Sequence, residues 1–223
     1  MNLFYSFGIH VYGLLIRTAA LFNLKARLWK DGRKGLMEFI SRELEQRRGK
    51  KEGKKTIWFH CASLGEFEQG RPLIEAWKKE HPEHFIILTF FSPSGYEHRK
   101  NYNVADLVCY MPLDTPSNAR KFIDLVRPDA VIFVKYEFWF NYLNILQERG
   151  IPHYLVSAIF RADQHFFKWY GDWTRNILKG FTHIFVQNEN SLELLDFVGI
   201  TNATVSGAFS CVSNRVYAAP AGE

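Results

Sequence analysis

The nine residues "WFHCASLGE", positions 58 to 66, decide the fold. Together with Ile57, residues Trp58 and Phe59 make the continuous apolar run that a strand covered on both faces needs. Ser63, Gly65 and Glu66 have the chemistry of a turn that opens a helix. A strand passing through a short polar turn into a helix is the first half of a βαβ unit. The same texture recurs down the chain. Apolar runs at 57–61, 85–90, 107–110, 130–134, 153–157, 183–187 and 203–206 read as strands, and the segments 68–79, 95–101, 117–126, 138–149, 165–178 and 191–197 between them carry helical spacing. Turn residues mark the joints: Pro72 near a helix start, Pro128 before a strand, and Gly150 with Pro152 between helix and strand. The expectation is an α/β domain over 56–207, with one doubly wound, parallel, Rossmann-like sheet.

Composition narrows the function classes. The 223 residues are 47% hydrophobic and 16% aromatic, enough for a sizeable core and incompatible with a disordered chain. Cys61, Cys109 and Cys211 lie far apart with no CxxC pair, which points to reduced thiols rather than disulfides or zinc ligands. His60 and Cys61 are neighbours on a strand and therefore face opposite ways, so they do not form a metal pair. Walker and GxGxxG patterns are both missing. The formal charge of +5 favours an anionic partner. The aromatic and basic stretch "DQHFFKWYGDWTRN", 163–176, reads as a half-buried helix and not as a nucleic-acid stacking surface.

The charge and the apolarity meet at the amino end. Residues 3–24 are apolar enough for a bilayer and would extend roughly 33 Å as one helix. His10 and Arg17 interrupt the run, so an in-plane anchor competes with a spanning one, and the same apolar positions also suit an amphipathic helix packed on the domain. Residues 1–24 are thus expected to be a membrane anchor helix. Residues 25–55, with the cations Lys25, Arg27, Lys30, Arg33 and Lys34 and a second basic run at 47–55, read as a basic linker with an amphipathic segment. Cations on that flank place it at the cytoplasmic leaflet, against anionic lipids.

In doubly wound sheets, ligands bind outside the carboxyl ends of the strands. Four loops belong there: "ASLGE" with Ser63, Gly65 and Glu66; "FSPSG" with Ser92, Ser94 and Gly95; "KYEFW" with Glu137; and "QNENS" with Gln187 and Asn188. The Ser-Pro-Ser-Gly hydroxyls and amides suit a phosphate, and they equally suit an ordinary turn. Glu66 and Glu137 stand near helix starts, where the dipole favours negative charge. A carboxylate at the mouth of a cleft is the form a general base takes.

The order and spacing of several stretches make the chain resemble the N-terminal half of bacterial 3-deoxy-D-manno-octulosonic acid (Kdo) transferases. They are "LWKDGRKG", "IWFHCASLGEFEQGRPLI", "LTFFSPSGYE", "YMPLDTPSNARKFI", "RPDAVIFVKYEFWFNYL", "RGIPHYLVSAIF", "FTHIFVQNENSLELL" and "GITNATVSG". The resemblance implies an inverting, metal-free transferase of the GT-B kind, built from two facing Rossmann-like domains. The first domain takes the lipid A precursor and the second takes CMP-Kdo. It further implies Glu66 as the base and a requirement for Glu137, the glutamate of the Glu-x-Trp pattern completed by Trp139. Ser63, Gly65, Ser92, Ser94, Gly95, Trp139, Gln187 and Asn188 are then the candidate substrate contacts. Three features depart from the family pattern. Ala208 stands where an Asp is expected, Lys135 where many members are acidic, and 159–161 differ after the fifth strand. With the chain ending at Glu223, residues 208–223 read as a truncated tail, and CMP-Kdo would need a further domain. The competing function class is a non-catalytic module that holds an anionic glycolipid at a membrane surface.

Overall fold

The computed structural model describes residues 2–136 and 138–206, without the side chains of residues 2, 3 and 48. At its centre are β1 (Thr56–Cys61), β2 (Phe85–Phe90), β3 (Leu107–Tyr110), β4 (Ala130–Val134), β5 (His153–Ala158), β6 (His183–Val186) and β7 (Ala203–Val205), in the order β3-β2-β1-β4-β5-β6-β7. Every ladder is parallel; His60, for example, pairs with Thr89 on one side and Phe133 on the other. The strand order reverses between β1 and β4. The crevice of a doubly wound sheet therefore opens where Cys61 and Val134 end.

Side-chain alternation sorts the sheet into two layers. Ile57, Phe59 and Cys61 of β1 join Ile86, Leu88 and Phe90 of β2 on the face covered by α5 (Leu64–Glu80). Trp58, Phe85 and Ile87 point the other way, toward α7 (Pro116–Val126) and α8 (Phe140–Glu148). Cys61 and Cys109 are buried thiols, and burial pushes Cys109 up to about 12; Cys211 lies outside the described residues. The remaining crossover helices are α6 (Pro93–Arg99), α9 (Asp172–Gly180) and α10 (Glu189–Phe197).

Four expectations change in physical detail. The apolar run at 3–24 is not one helix. α1 (Asn2–Ala19) stops, and Asn23 caps the start of α2 (Leu24–Asp31) by accepting the Ala26 amide at 3.1 Å. Among the described residues no helix is long and apolar enough to cross a membrane. Residues 25–55 are more than a linker, because α2, α3 (Leu36–Gln46) and the short α4 (Arg48–Lys51) lie here, and Trp29, Leu36, Ile40 and Leu44 enter the core. Pro72 is inside α5 and not at its start, since Ser63 occupies the N-cap eight residues after Lys55 and lets the helix begin at Leu64. The helix expected at 165–178 is broken into a single 3-10 turn (His165–Phe167) and α9, with Gly171 between them. A Cβ on Gly171 would lie 2.2 Å from the His165 carbonyl oxygen, so only glycine lets the chain fold back that closely.

Candidate active site

Glu66 lies in the first turn of α5, directly after β1, at the reversal point of the strand order. Ser63 and Glu66 have the Ser-x-x-Glu spacing of a capping box, but the observed contact is direct: the Ser63 hydroxyl donates to Glu66 Oε2. The carboxylate is thereby oriented at the helix mouth. Gly65, exposed beside it, has no steric duty within this domain, because an added Cβ would find only Ser63 Oγ, at 3.8 Å. The space on that side is open to a ligand.

The facing loop follows β4. Glu137 lies outside the described residues, but its neighbours are fixed. Trp139 stands at the N-cap position of α8, packs against Phe91 in a tilted pair with ring centroids 4.4 Å apart, and donates its indole N–H to His60 Nε2 at 3.2 Å. An indole nitrogen can only donate, so Nε2 accepts and the imidazole proton sits on Nδ1, directed at Thr89 Oγ1 2.8 Å away. Trp58 donates to the same hydroxyl at 2.7 Å. His60 thus works inside the fold as a buried link from β1 to Trp139, and faces away from Cys61 as its strand position requires.

Ser92 is the N-cap of α6, with its hydroxyl 3.2 Å from the Ser94 amide and 3.0 Å from the Ser94 hydroxyl. Gly95 is a packing glycine, since a Cβ there would be 2.2 Å from the Phe90 ring. Gln187 is anchored through its amide to Ser157 Oγ at 2.6 Å and Ser157 O at 3.1 Å, and Asn188 caps α10 by accepting the Ser191 amide at 2.9 Å. The structure therefore places Ser63 and Glu66 after β1 and Trp139 after β4, the two strands at the reversal point, and gives Ser92, Gly95 and Asn188 structural duties at the same edge of the sheet.

Three features of this edge were not read from the sequence. Lys135 and Ser157 follow the paired residues Val134 and Val156 and have φ of 67° and 61°, left-handed backbone that costs a non-glycine residue about 1–3 kcal/mol. Ser157 also donates to Gln69 at 3.3 Å. Arg33, in the α2–α3 turn, donates to the carbonyls of Trp29, Phe91 and Met111, and its guanidinium lies 4.0 Å from the Trp29 ring centroid. Enclosure lowers its pKa to about 9, which keeps it charged at neutral pH. Asp114, after β3, is a fully buried carboxylate raised by desolvation to about 6. Asp114 stands in an ordinary Asp-Thr-Pro turn sequence, and Arg33 is indistinguishable in sequence from the lysines around it.

One group among the described residues, His81, Glu83 and His84, brings ligand atoms within 4.8 Å of one another. It lies in the turn before β2, at the amino end of the sheet and away from Glu66. Trp77 donates to His84 Nδ1 at 3.1 Å, which leaves the proton of a neutral His84 on Nε2, facing Glu83 Oε1 at 3.3 Å. As arranged, the triad is hydrogen-bonded within itself.

A groove of about 630 Å³ runs between α1, the α2–α3 turn and the loop after β3, with His10, Arg17, Lys30, Lys34 and Lys121 on its walls against Asp31 and Glu38. Its wall after β3 lies at the same carboxyl edge of the sheet as the start of α5, which bears Glu66.

The structure is similar in fold to a putative UDP-N-acetylglucosamine 2-epimerase from Listeria monocytogenes, at a TM-score of 0.53 and 14% identity, covering 70% of this chain and 45% of that one. In sequence, the chain is similar to the 3-deoxy-D-manno-octulosonic acid transferase of Aquifex aeolicus, 36% identical over 109 residues that make up 48% of this chain and 29% of the relative. The enzyme of that name from Haemophilus influenzae is 33% identical over 46% of this chain and 24% of its own length, and that from Rickettsia felis 28% over 72% and 35%. The chain thus spans about a quarter to a third of these relatives. The family model described as 3-deoxy-D-manno-octulosonic-acid transferase (kdotransferase) matches residues 40–210, and on that match the chain belongs to the Kdo transferase family, fitting its N-terminal half.

Proposed function

We propose that this chain is the acceptor-binding part of an inverting glycosyltransferase that moves Kdo from CMP-Kdo to a lipid A precursor, lipid IVA, at the cytoplasmic face of the bacterial inner membrane. The observation that carries the reading is Glu66, oriented by Ser63 at the reversal point of the sheet with open space beside Gly65. In this mechanism the Glu66 carboxylate takes the proton of the acceptor sugar hydroxyl as that oxygen attacks the anomeric carbon of Kdo, and CMP leaves from the opposite side. The donor is a substrate held by a facing domain, and the chemistry calls on no cofactor or metal. Trp139, braced by Phe91 and His60, forms a wall of the acceptor site.

The acceptor's phosphates suit the basic groove beside α1. The test is calorimetry with a water-soluble bis-phosphorylated glucosamine disaccharide and its dephosphorylated counterpart. We expect the phosphorylated form to bind at least about tenfold more tightly, as one or two charge-assisted contacts would give. Equal affinities would remove phosphate recognition from the proposal.

Membrane contact has its own support. α1 carries two apolar stripes. Tyr5, Tyr12 and Ile16 face the domain, while Phe4, Phe7, Val11, Leu14 and Leu15 recur at three- and four-residue spacing on the outer side and are exposed, Phe4 to 82%. Leu21 and Phe22 extend that outer surface. Such a helix lies in the plane of the interface, and holding the domain there brings a lipid acceptor to it in two dimensions. Deleting α1 would also strip the inner stripe from the domain, so the cleaner variant replaces Phe4, Phe7, Leu14 and Leu15 with Ser. Each buried side chain of this size is worth about 1.5–3 kcal/mol, and the quadruple variant is expected to sediment with anionic liposomes more than tenfold less than the parent at unchanged fold. Equal sedimentation would rule out α1 as the contact.

A further inference from the structure

Helix α8 begins without a cap of its own. Trp139 occupies its N-cap position and offers no side-chain acceptor, which leaves the amides of Asn141 and Tyr142 to be satisfied from elsewhere. Asp114 does this from the far side of the crossover: Oδ2 accepts the Asn141 amide at 3.2 Å and Oδ1 the Tyr142 amide at 3.1 Å. Its main-chain carbonyl also accepts the Asn141 side-chain amide at 2.6 Å. The third donor to the carboxylate comes from another element altogether. The Tyr5 hydroxyl of α1 reaches Asp114 Oδ2 at 2.7 Å, with the Tyr5 ring 5.3 Å from Phe140 and 6.2 Å from Trp173. Ser6, next on α1, touches the Asn141 side chain at 3.5 Å.

We infer that Asp114 is a positioning residue: a single buried carboxylate caps α8, sets the first turn that carries Trp139, and ties that turn to the seating of α1 through Tyr5. A contact route then runs from the outer apolar face of α1 to the cleft, by way of Tyr5, Asp114, the start of α8, Trp139 and His60. Because α1 is the element offered to a membrane, docking the chain at a bilayer and ordering the cleft become one coupled event. The functional meaning of this coupling rests on the proposed acceptor role, whereas the coupling itself is a property of this chain alone.

The chemistry of the site selects the variants. Asp114→Asn keeps the shape but presents an NH₂ group to one of the two helix amides, so one cap bond is lost whichever way the amide turns. Tyr5→Phe removes one hydroxyl and leaves the ring packing. Both are read on the 223-residue chain without donor or acceptor, by the indole ¹⁵N–¹H resonances, with that of Trp139 assigned through Trp139→Phe, and by amide exchange. The expected result is that the Trp139 resonance moves in both variants and that protection of the Asn141 and Tyr142 amides falls, by about tenfold or more in Asp114→Asn, as befits a lost bond to a charged acceptor. The Trp77 resonance and the β2 amides of Ile86 and Leu88, in the opposite layer, stay as they were. An unmoved Trp139 resonance with unchanged α8 protection would overturn the inference, and so would α8 and β2 amides weakened in equal proportion, the mark of a merely structural role. Should Asp114→Asn fail to fold, Tyr5→Phe decides by the same two readouts. Neither depends on Kdo transfer, so a failed coupling and a failed acceptor role are told apart.

Discussion

Glu66→Gln, placed in an intact enzyme that carries this half, is expected to lower the initial rate of Kdo transfer from CMP-Kdo to lipid IVA by about 10² to 10⁴, the usual loss when a general base is removed. Glutamine keeps the volume of the side chain and an oxygen that can accept the Ser63 hydroxyl, so the start of α5 survives. What disappears is the group that takes the acceptor's proton. If Glu66 instead serves only the helix, its charge contributes about 0.3–1 kcal/mol through the dipole, and the variant would melt slightly lower while turning over normally. Rate and melting temperature measured on the same preparation separate the two. A folded Glu66→Gln enzyme with near-parental turnover would refute the assignment and pass the base role to Glu137.

The two candidate roles of Glu66 also show how far the sequence could be read. The strands were legible because parallel strands buried on both faces are contiguous apolar runs. The expected span 85–90 coincides with β2, and 153–157 falls one residue short of β5, where the chain bulges at Ser157. Glu66 was legible because a strand, a small-residue turn and a carboxylate form one local signal. Failures came where one contact that apolar spacing does not register decides the local structure. The helix expected at 165–178 had the right apolar spacing, and only the close pass of Gly171 over the His165 carbonyl divides it. The 3–24 run looked like a single membrane helix because hydropathy does not register that Asn23 caps the next one. Asp114 sits in an ordinary turn sequence, and its role exists only once the fold brings α1 and α8 to it.

Arg33 is the most complete case of a role invisible in sequence, and its removal is expected to have the largest effect on stability. In the run Lys30, Asp31, Gly32, Arg33, Lys34 it reads as one more surface cation. The fold instead closes the Trp29, Phe91 and Tyr110 rings around its guanidinium, at 4.0, 4.7 and 4.8 Å, and aims its donors at the Phe91 and Met111 carbonyls just past β2 and β3. The α2–α3 turn is thereby fastened to the carboxyl edge of the sheet, where it forms one wall of the basic groove. Arg33→Met fills much of the space but leaves those carbonyls without their donor and the rings without their cation. At about 1–3 kcal/mol for each stranded acceptor, with a further contribution from the rings, the loss is about 3 kcal/mol or more. For a domain of this size that is a fall in Tm of about 6–12 °C. Arg33→Lys retains the charge but not the planar fork that serves several acceptors at once, so it should fall between the two. Lys34→Met, the same loss of charge one residue along on the exposed side, should stay within about 0.5 kcal/mol of the parent. Equal melting of Arg33→Met and Lys34→Met would show that Arg33 is held by its neighbours without holding them.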